Sequence, residues 1–210
     1  MLSFFLFLSF DLIGFAQQKK VVFIILDGIP APELERIHTP NLDQISKVGG
    51  YARAFTGGEK GGESETPTIS AVGYNSLLTG TWANKHNVWG NDIESPNYDY
   101  WSVFRLMREA EPESKLAIFS TWEDNRTKLI GERKAETGYL KLDIVFDGFE
   151  KDTVRFAHDT EKTYLRKIDN LVSFEAAHSL NTQAPDLSWV YLEFTDAVGH
   201  RYGKSAQLTS

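Results

Sequence analysis

The sequence predicts an α/β fold, with helices layered on both sides of a mostly parallel sheet. The unbroken apolar run "VVFIIL" at 21–26 and the largely apolar run "WVYLEF" at 189–194 have the length and side chains of strands buried on both faces. Between them, further strand-like runs alternate with stretches of helical apolar spacing, the pattern of a parallel sheet built through helical crossovers. The chain has 210 residues, 41% hydrophobic and 24% charged, which suffices for one domain with its own core.

The first strand runs straight into Asp27-Gly28. In "IHTPNLDQISKVGG", Thr39 stands at a helix N-cap, Pro40 at the first helical position, and Gly49-Gly50 closes the helix. Gly57 to Glu65 holds too much glycine and charge for anything but a loop. It leads into "TPTISAVGYNSLLTG", where Ser70 is expected to cap a helix over Ala71 to Thr79 that ends at a left-handed Gly80. Trp101, Phe104 and Met107 give Tyr98 to Ala110 a helical apolar spacing. "KLAIFS" and "LDIVF" read as two more strands, and Asp159 to Leu180 as a long amphipathic helix with solvated charges. There is no internal repeat and no low-complexity tract.

A formal net charge of −7 argues against a partner such as duplex nucleic acid, which needs a basic face. It leaves room for a small phosphate ester, because a bound cation supplies local positive charge. The chain has no cysteine, so a metal would be held by His, Asp, Glu, hydroxyl or water, the chemistry of zinc, manganese, magnesium or calcium. At the N-terminus, Leu2 to Phe10 is apolar but too short to span a bilayer. Gly14 and Ala16 place small residues at −3 and −1 of a cut before Gln17. The expectation is a signal peptide over 1–16 and a secreted or periplasmic protein; the competing readings are a buried strand or a short anchor. Asn125-Arg126-Thr127 is a glycosylation sequon, relevant only in a eukaryotic secretory pathway.

Functional side chains of parallel sheets gather at the carboxyl ends of strands. Asp27 follows the first long strand, and Asp196 and His200 follow the last. An aspartate there is equally a capping residue. Asp196 and His200, however, are four apart, which puts them on one face of a helical turn, and a carboxylate with an imidazole is a zinc-type pair. Ser70 reads as a plain cap or as a nucleophile.

"LDG", a hydroxyl before "SLLTG", "HNVWGN" and "YLEFTDAVGHRYG" occur in the order seen in the alkaline phosphatase superfamily. The chain resembles the type I phosphodiesterase and nucleotide pyrophosphatase branch from about Val21 to Gly203. The resemblance implies an alkaline-phosphatase-like α/β/α fold and two divalent metal ions, zinc first. It implies that Asp27 and Ser70 share one metal and that Asp196 and His200 are ligands of the other. The nucleophile lies ten positions before the glycine of "TG" in that family, which selects Ser70 over Thr66 and Thr68, and a phosphate-contacting asparagine lies twenty-one positions further on, at Asn91.

The activity so implied is hydrolysis of phosphodiester or pyrophosphate bonds through a phosphoseryl intermediate, on a small ester such as a nucleotide. The alternatives are a phosphomonoesterase and a non-catalytic fragment. The second rests on a further Asp-His pair and histidine that the family carries downstream, which makes residues 17–210 read as the amino-terminal part of a catalytic domain. The sulfatase branch is disfavoured, because Val72 and Tyr74 stand where it needs proline and arginine. His86 reads as a packing residue, and Trp89, Tyr98, Tyr100, Trp101 and Trp122 as core aromatics before base-stacking ones.

Overall fold

A computed structural model describes residues 19–203, so the expected signal peptide lies outside the described residues. The elements follow in order: β1 Val21–Leu26, α1 Ala31–Arg36, α2 Pro40–Gly49, α3 Ser70–Thr79, α4 Ala83–His86, α5 Val103–Ala110, β2 Leu116–Ser120, β3 Ile144–Phe146, α6 Thr163–Thr182, β4 Leu187–Leu192 and α7 Phe194–Tyr202. The four strands form one sheet in the order β1-β4-β2-β3, and every pairing is parallel. Parallel neighbours need crossover connections, and the helices supply them. The fold is α/β, as the alternation of runs predicts.

Strand side chains alternate between two cores. Leu116, Ile118, Leu187, Trp189 and Tyr191 face Ala71, Val72 and Leu78 of α3 and Phe104 of α5. Ala117, Phe119 and Val190 face the opposite way, onto Ile168, Val172 and Ala176 of α6. The central strands β4 and β2 are therefore covered on both sides.

β1 departs from its expectation. Phe23 and Ile25 pack on the first core, but Ile24 is 56% exposed and Val22 is exposed beside it. β1 is an edge strand, and α6 covers β4 and β2 instead. Six consecutive apolar residues carry no period, so their sequence cannot distinguish a covered face from an open one. Neither α1 nor α2 buries a residue among the described ones; Pro40 and Gly50 bound α2 as their chemistry predicts, but Thr39 at the N-cap makes no side-chain capping bond and donates its hydroxyl to Asp43 instead.

Two helices start later than expected. α5 begins at Val103, because Ser102 accepts the Arg105 amide at 3.3 Å while the Tyr100 amide closes a turn on Asn97 O and the Asn97 amide pairs with His86 O. α6 begins at Thr163, because Asp159 stands outside it and accepts the Thr163 and Tyr164 amides at 3.0 and 3.2 Å. The last strand ends at Leu192, and its final two predicted residues lead into α7.

After β2 the chain makes a π-helical turn, Asn125–Ile130. Arg126 clamps it down. Its guanidinium makes two hydrogen bonds to Asp147, 2.7 and 3.0 Å long, and one of 2.8 Å to Glu132. Both carboxylates are nearly buried. Asn125 is fully buried and donates to Ser120 Oγ at 3.0 Å, so the sequon is inaccessible in the folded chain.

Two substitutions measured by urea denaturation test this layout. Ile118→Ala, at a fully buried position of a central strand, should cost about 2–5 kcal/mol. Ile24→Ala, on the open face of the edge strand, should cost well under half as much, since little apolar area leaves water there. Equal losses would show that the second face of β1 is covered in solution.

Candidate active site

The site begins with one pairing. β1 and β4 run parallel in the register Leu26↔Leu192, so both chains leave the sheet at the same level. The Asp27 amide still pairs with Leu192 O at 3.0 Å, and Thr195 Oγ1 donates to Asp27 O at 2.7 Å. Asp27 is 8% exposed. Tyr191 OH donates to its Oδ2 at 2.8 Å. Burial first, and then neighbouring negative charge including that of Asp27, raise the Tyr191 phenol well above its ordinary range, so it acts there only as a donor.

Ser70 reaches the same carboxylate, with Oγ 3.4 Å from Oδ1 and 3.3 Å from Oδ2. The expected cap is displaced by one residue. Ile69 is the N-cap of α3, Ser70 is its first helical residue, and no side chain caps the helix. A serine hydroxyl at that position is free of the helix backbone and turns to Asp27 instead. Gly80 closes α3 in the left-handed conformation, φ 64°, as predicted.

Asn91 docks on the same helix start. Its Oδ1 accepts the Ala71 amide at 3.0 Å, which orients the amide and leaves Nδ2 as a donor without a partner among the described residues. The Ala71 N–H that the helix start offers is thus used by Asn91. His86 holds the loop that carries Asn91. It is fully buried, accepts the Val88 amide at Nδ1 (3.1 Å) and donates from Nε2 to Ser76 Oγ (2.9 Å), which donates to Val72 O (2.9 Å). Burial lowers its pKa to about 4. The packing role expected of His86 is what the structure gives it.

The competing hydroxyls are placed differently. Thr66 is buried and occupied, donating to Ser64 O at 2.9 Å and accepting the Ala83 amide at 3.2 Å. Thr68 is exposed and makes no side-chain hydrogen bond among the described residues. Of the five aromatic candidates, Trp122 packs beside Tyr191, its ring 6.5 Å from that of Tyr191. Trp101 instead lies under Arg105. Tyr74, one turn beyond Ser70, has its ring 5.4 Å from that of Tyr191 and a buried hydroxyl, and burial first and then the Asp27 charge raise its phenol well above the ordinary range.

α7 brings the second pair. Asp196 Oδ1 and His200 Nε2 are 3.4 Å apart on one face of the helix, as the four-residue spacing predicts. His200 is 80% exposed at its side chain. Burial, then the Asp27 charge, raise the Asp196 pKa, an electrostatic sign that the two pairs are neighbours. Among the described residues no group of three or more His, Asp or Glu side chains is arranged to hold a metal ion.

Two carboxylates that the sequence reading passed over stand behind these pairs. Glu193 has its pKa raised to about 8, by burial first and then by the charges of Asp169 and Asp27. Asp169 is 9% exposed in the second turn of α6, and burial raises it too. Asp169 carried no signal in a helix with solvated charges elsewhere. Glu193 was visible only as an acid inside an apolar run.

These shifts have opposite consequences for stability. Glu193, raised from 4.5 to about 8, contributes fully below pH 4.5 and loses its contribution as pH rises to about 8. His86, lowered from 6.5 to about 4, contributes fully above pH 6.5 and loses its contribution as pH falls toward 4. In chelator, stability should fall by about 2 kcal/mol between pH 6.5 and 8, where His86 is already neutral in both states. Urea curves across that range check it, and Glu193→Gln should abolish the alkaline fall. A stability that rises from pH 6.5 to 8 would contradict the assignment.

Comparison with curated proteins and with solved structures gives no match. The model of one protein family does match, type I phosphodiesterase / nucleotide pyrophosphatase, over residues 21–209. The matched range takes in both strand ends, the start of α3, the Asn91 loop and the Asp196–His200 turn. The chain belongs to the type I phosphodiesterase / nucleotide pyrophosphatase family, phosphoesterases of the alkaline phosphatase superfamily.

Proposed function

We propose that the chain is a hydrolase of phosphodiester or pyrophosphate bonds that works through a phosphoseryl intermediate on Ser70. The observation that carries this reading is the placement of Ser70 Oγ 3.3–3.4 Å from both oxygens of Asp27, with Asn91 bound to the next amide of the same helix. In the first step Ser70 Oγ loses its proton and forms a bond to phosphorus while the leaving oxygen departs and is protonated. In the second, water attacks phosphorus, the Oγ–P bond breaks and Ser70 regains a proton. Asn91 Nδ2 is the group that would donate to a phosphoryl oxygen as charge builds on it. Tyr191 holds Asp27 in place for the whole cycle.

Divalent cations, zinc first, fit the donor set. Asp27, Asp169, Glu193 and Asp196 crowd negative charge at one sheet end; against it the Lys162 charge lowers Glu193, and His200 and then Lys162 lower Asp196. Asp27 with Ser70 would hold one ion, and Asp196 with His200 the other. Bound there, such ions acidify the serine hydroxyl and stabilise the attacking and leaving oxygens. Each pair supplies two protein groups where catalytic zinc commonly takes three, so the expected affinity is weak. The proposed substrate is a small phosphate ester such as a nucleotide, and the proposed setting is outside the cytoplasm. Among the described residues no helix is long and apolar enough to cross a membrane.

Bis-p-nitrophenyl phosphate and p-nitrophenyl phosphate test the reading together. Faster turnover of the diester supports it, and faster turnover of the monoester assigns a phosphomonoesterase instead. Ser70→Ala should lower kcat by about 10⁴–10⁶ with an unchanged melting curve. Retained activity in Ser70→Ala with loss in Thr68→Ala would move the nucleophile. Asn91→Ala should cost about 10²–10³ in kcat. Chelation should stop turnover and added zinc restore it; turnover that survives exhaustive chelation removes the metal from the reading.

A further inference from the structure

α7 carries Asp196 and His200, yet it has no cap of its own. Its N-cap residue, Glu193, is in a helical conformation and makes no side-chain capping bond. The first amides of a helix nevertheless need acceptors. The acceptor comes from another helix. Asp169 of α6 accepts the Glu193 amide at Oδ1, 3.0 Å, and the Phe194 amide at Oδ2, 2.8 Å. Its Oδ1 also accepts Thr121 Oγ1, and the Thr121 amide donates to Tyr191 O at 3.2 Å. One buried carboxylate thus ties the end of β2, the end of β4 and the start of α7 together, with both oxygens used and a negative charge at the helix end that favours it.

We propose that Asp169 is a positioning residue, whose carboxylate caps α7 from α6 and so sets where Asp196 and His200 stand relative to Asp27 and Ser70. The inference rests on the proposed function for its catalytic meaning and on the three hydrogen bonds for its mechanics. Asparagine cannot replace the carboxylate, because its NH2 group would face a backbone N–H that needs an acceptor. Asp186 is the matched control. It is equally buried, and it accepts the Lys115 amide at 2.7 Å and Lys20 Nζ at 2.6 Å, where β4 begins, at the other end of the sheet.

The test is peptide-resolved hydrogen exchange on the full chain in chelator, comparing wild type, Asp169→Asn and Asp186→Asn. The expected result is exchange about tenfold to a hundredfold faster over residues 193–203 in Asp169→Asn, with β2 and α6 at wild-type rates, and no such change in Asp186→Asn. If Asp169→Asn does not fold, Thr121→Val removes one of the three bonds and should give the same local pattern at smaller amplitude. Unchanged exchange over 193–203, or equal acceleration in every peptide, overturns the proposal. Titration with zinc alone then separates the two readings. Weaker binding by about tenfold or more in Asp169→Asn supports positioning of the ligand pair, and unchanged binding overturns it. A wild type that takes up no zinc defeats the metal reading, while the exchange data still decide whether Asp169 caps α7.

Discussion

Everything at the candidate site depends on the parallel pairing of β1 with β4. The two segments lie far apart in the chain, yet the register Leu26↔Leu192 brings Asp27 and Glu193 out of the sheet side by side. A slip of one residue would turn Asp27 to the opposite face and break its contacts with Tyr191, Thr195 and Ser70 together. The pairing is held from one side only for β1, because Phe23 and Ile25 pack against Trp189 and the first core while Val22 and Ile24 face outward. The sheet thus gathers the side chains of the candidate site at the junction of an open edge strand and a strand covered on both faces.

That junction carries a second constraint, the crowding of carboxylates. Asp27, Asp169, Glu193 and Asp196 meet in a region from which water is partly excluded, and burial and mutual repulsion raise the pKa values of the last three. The chain meets this in two ways. Asp27 and Asp169 are supplied with donors, from Tyr191 and Ser70 for the first and from Thr121 and two backbone amides for the second. Glu193 answers by favouring its neutral form through most of the physiological pH range. The arrangement is costly for folding alone, a cost that the proposed cations would relieve.

The remaining side chains act mainly as scaffolding for these few. The His86–Ser76–Val72 chain of hydrogen bonds ties the turn after α4 to the body of α3, and so keeps Asn91 against the Ala71 amide. Arg126 does the corresponding task behind β2, fixing the turn that follows Thr121 through Asp147 and Glu132. Both are interior polar networks whose members are fully engaged, which favours a single arrangement of the loops around the site.

The sequence by itself determined the alternation of strands and helices, the loop before α3, the left-handed stop at Gly80 and the one-face pairing of Asp196 with His200. All of these follow from local rules: side-chain period, glycine conformation and helical spacing. Tertiary structure alone decided that β1 is an edge strand, because a continuous apolar run holds no information about which face is covered. It decided that Ser70 turns to Asp27 rather than to its own helix, since the attracting carboxylate lies forty-three residues away in the chain. It also made Asp169 a cap for α7, a role with no local signature. In sequence Asp169 is one acid on an amphipathic helix, and only the packing of α6 over the ends of β2 and β4 brings its carboxylate to two amides that would otherwise lack acceptors.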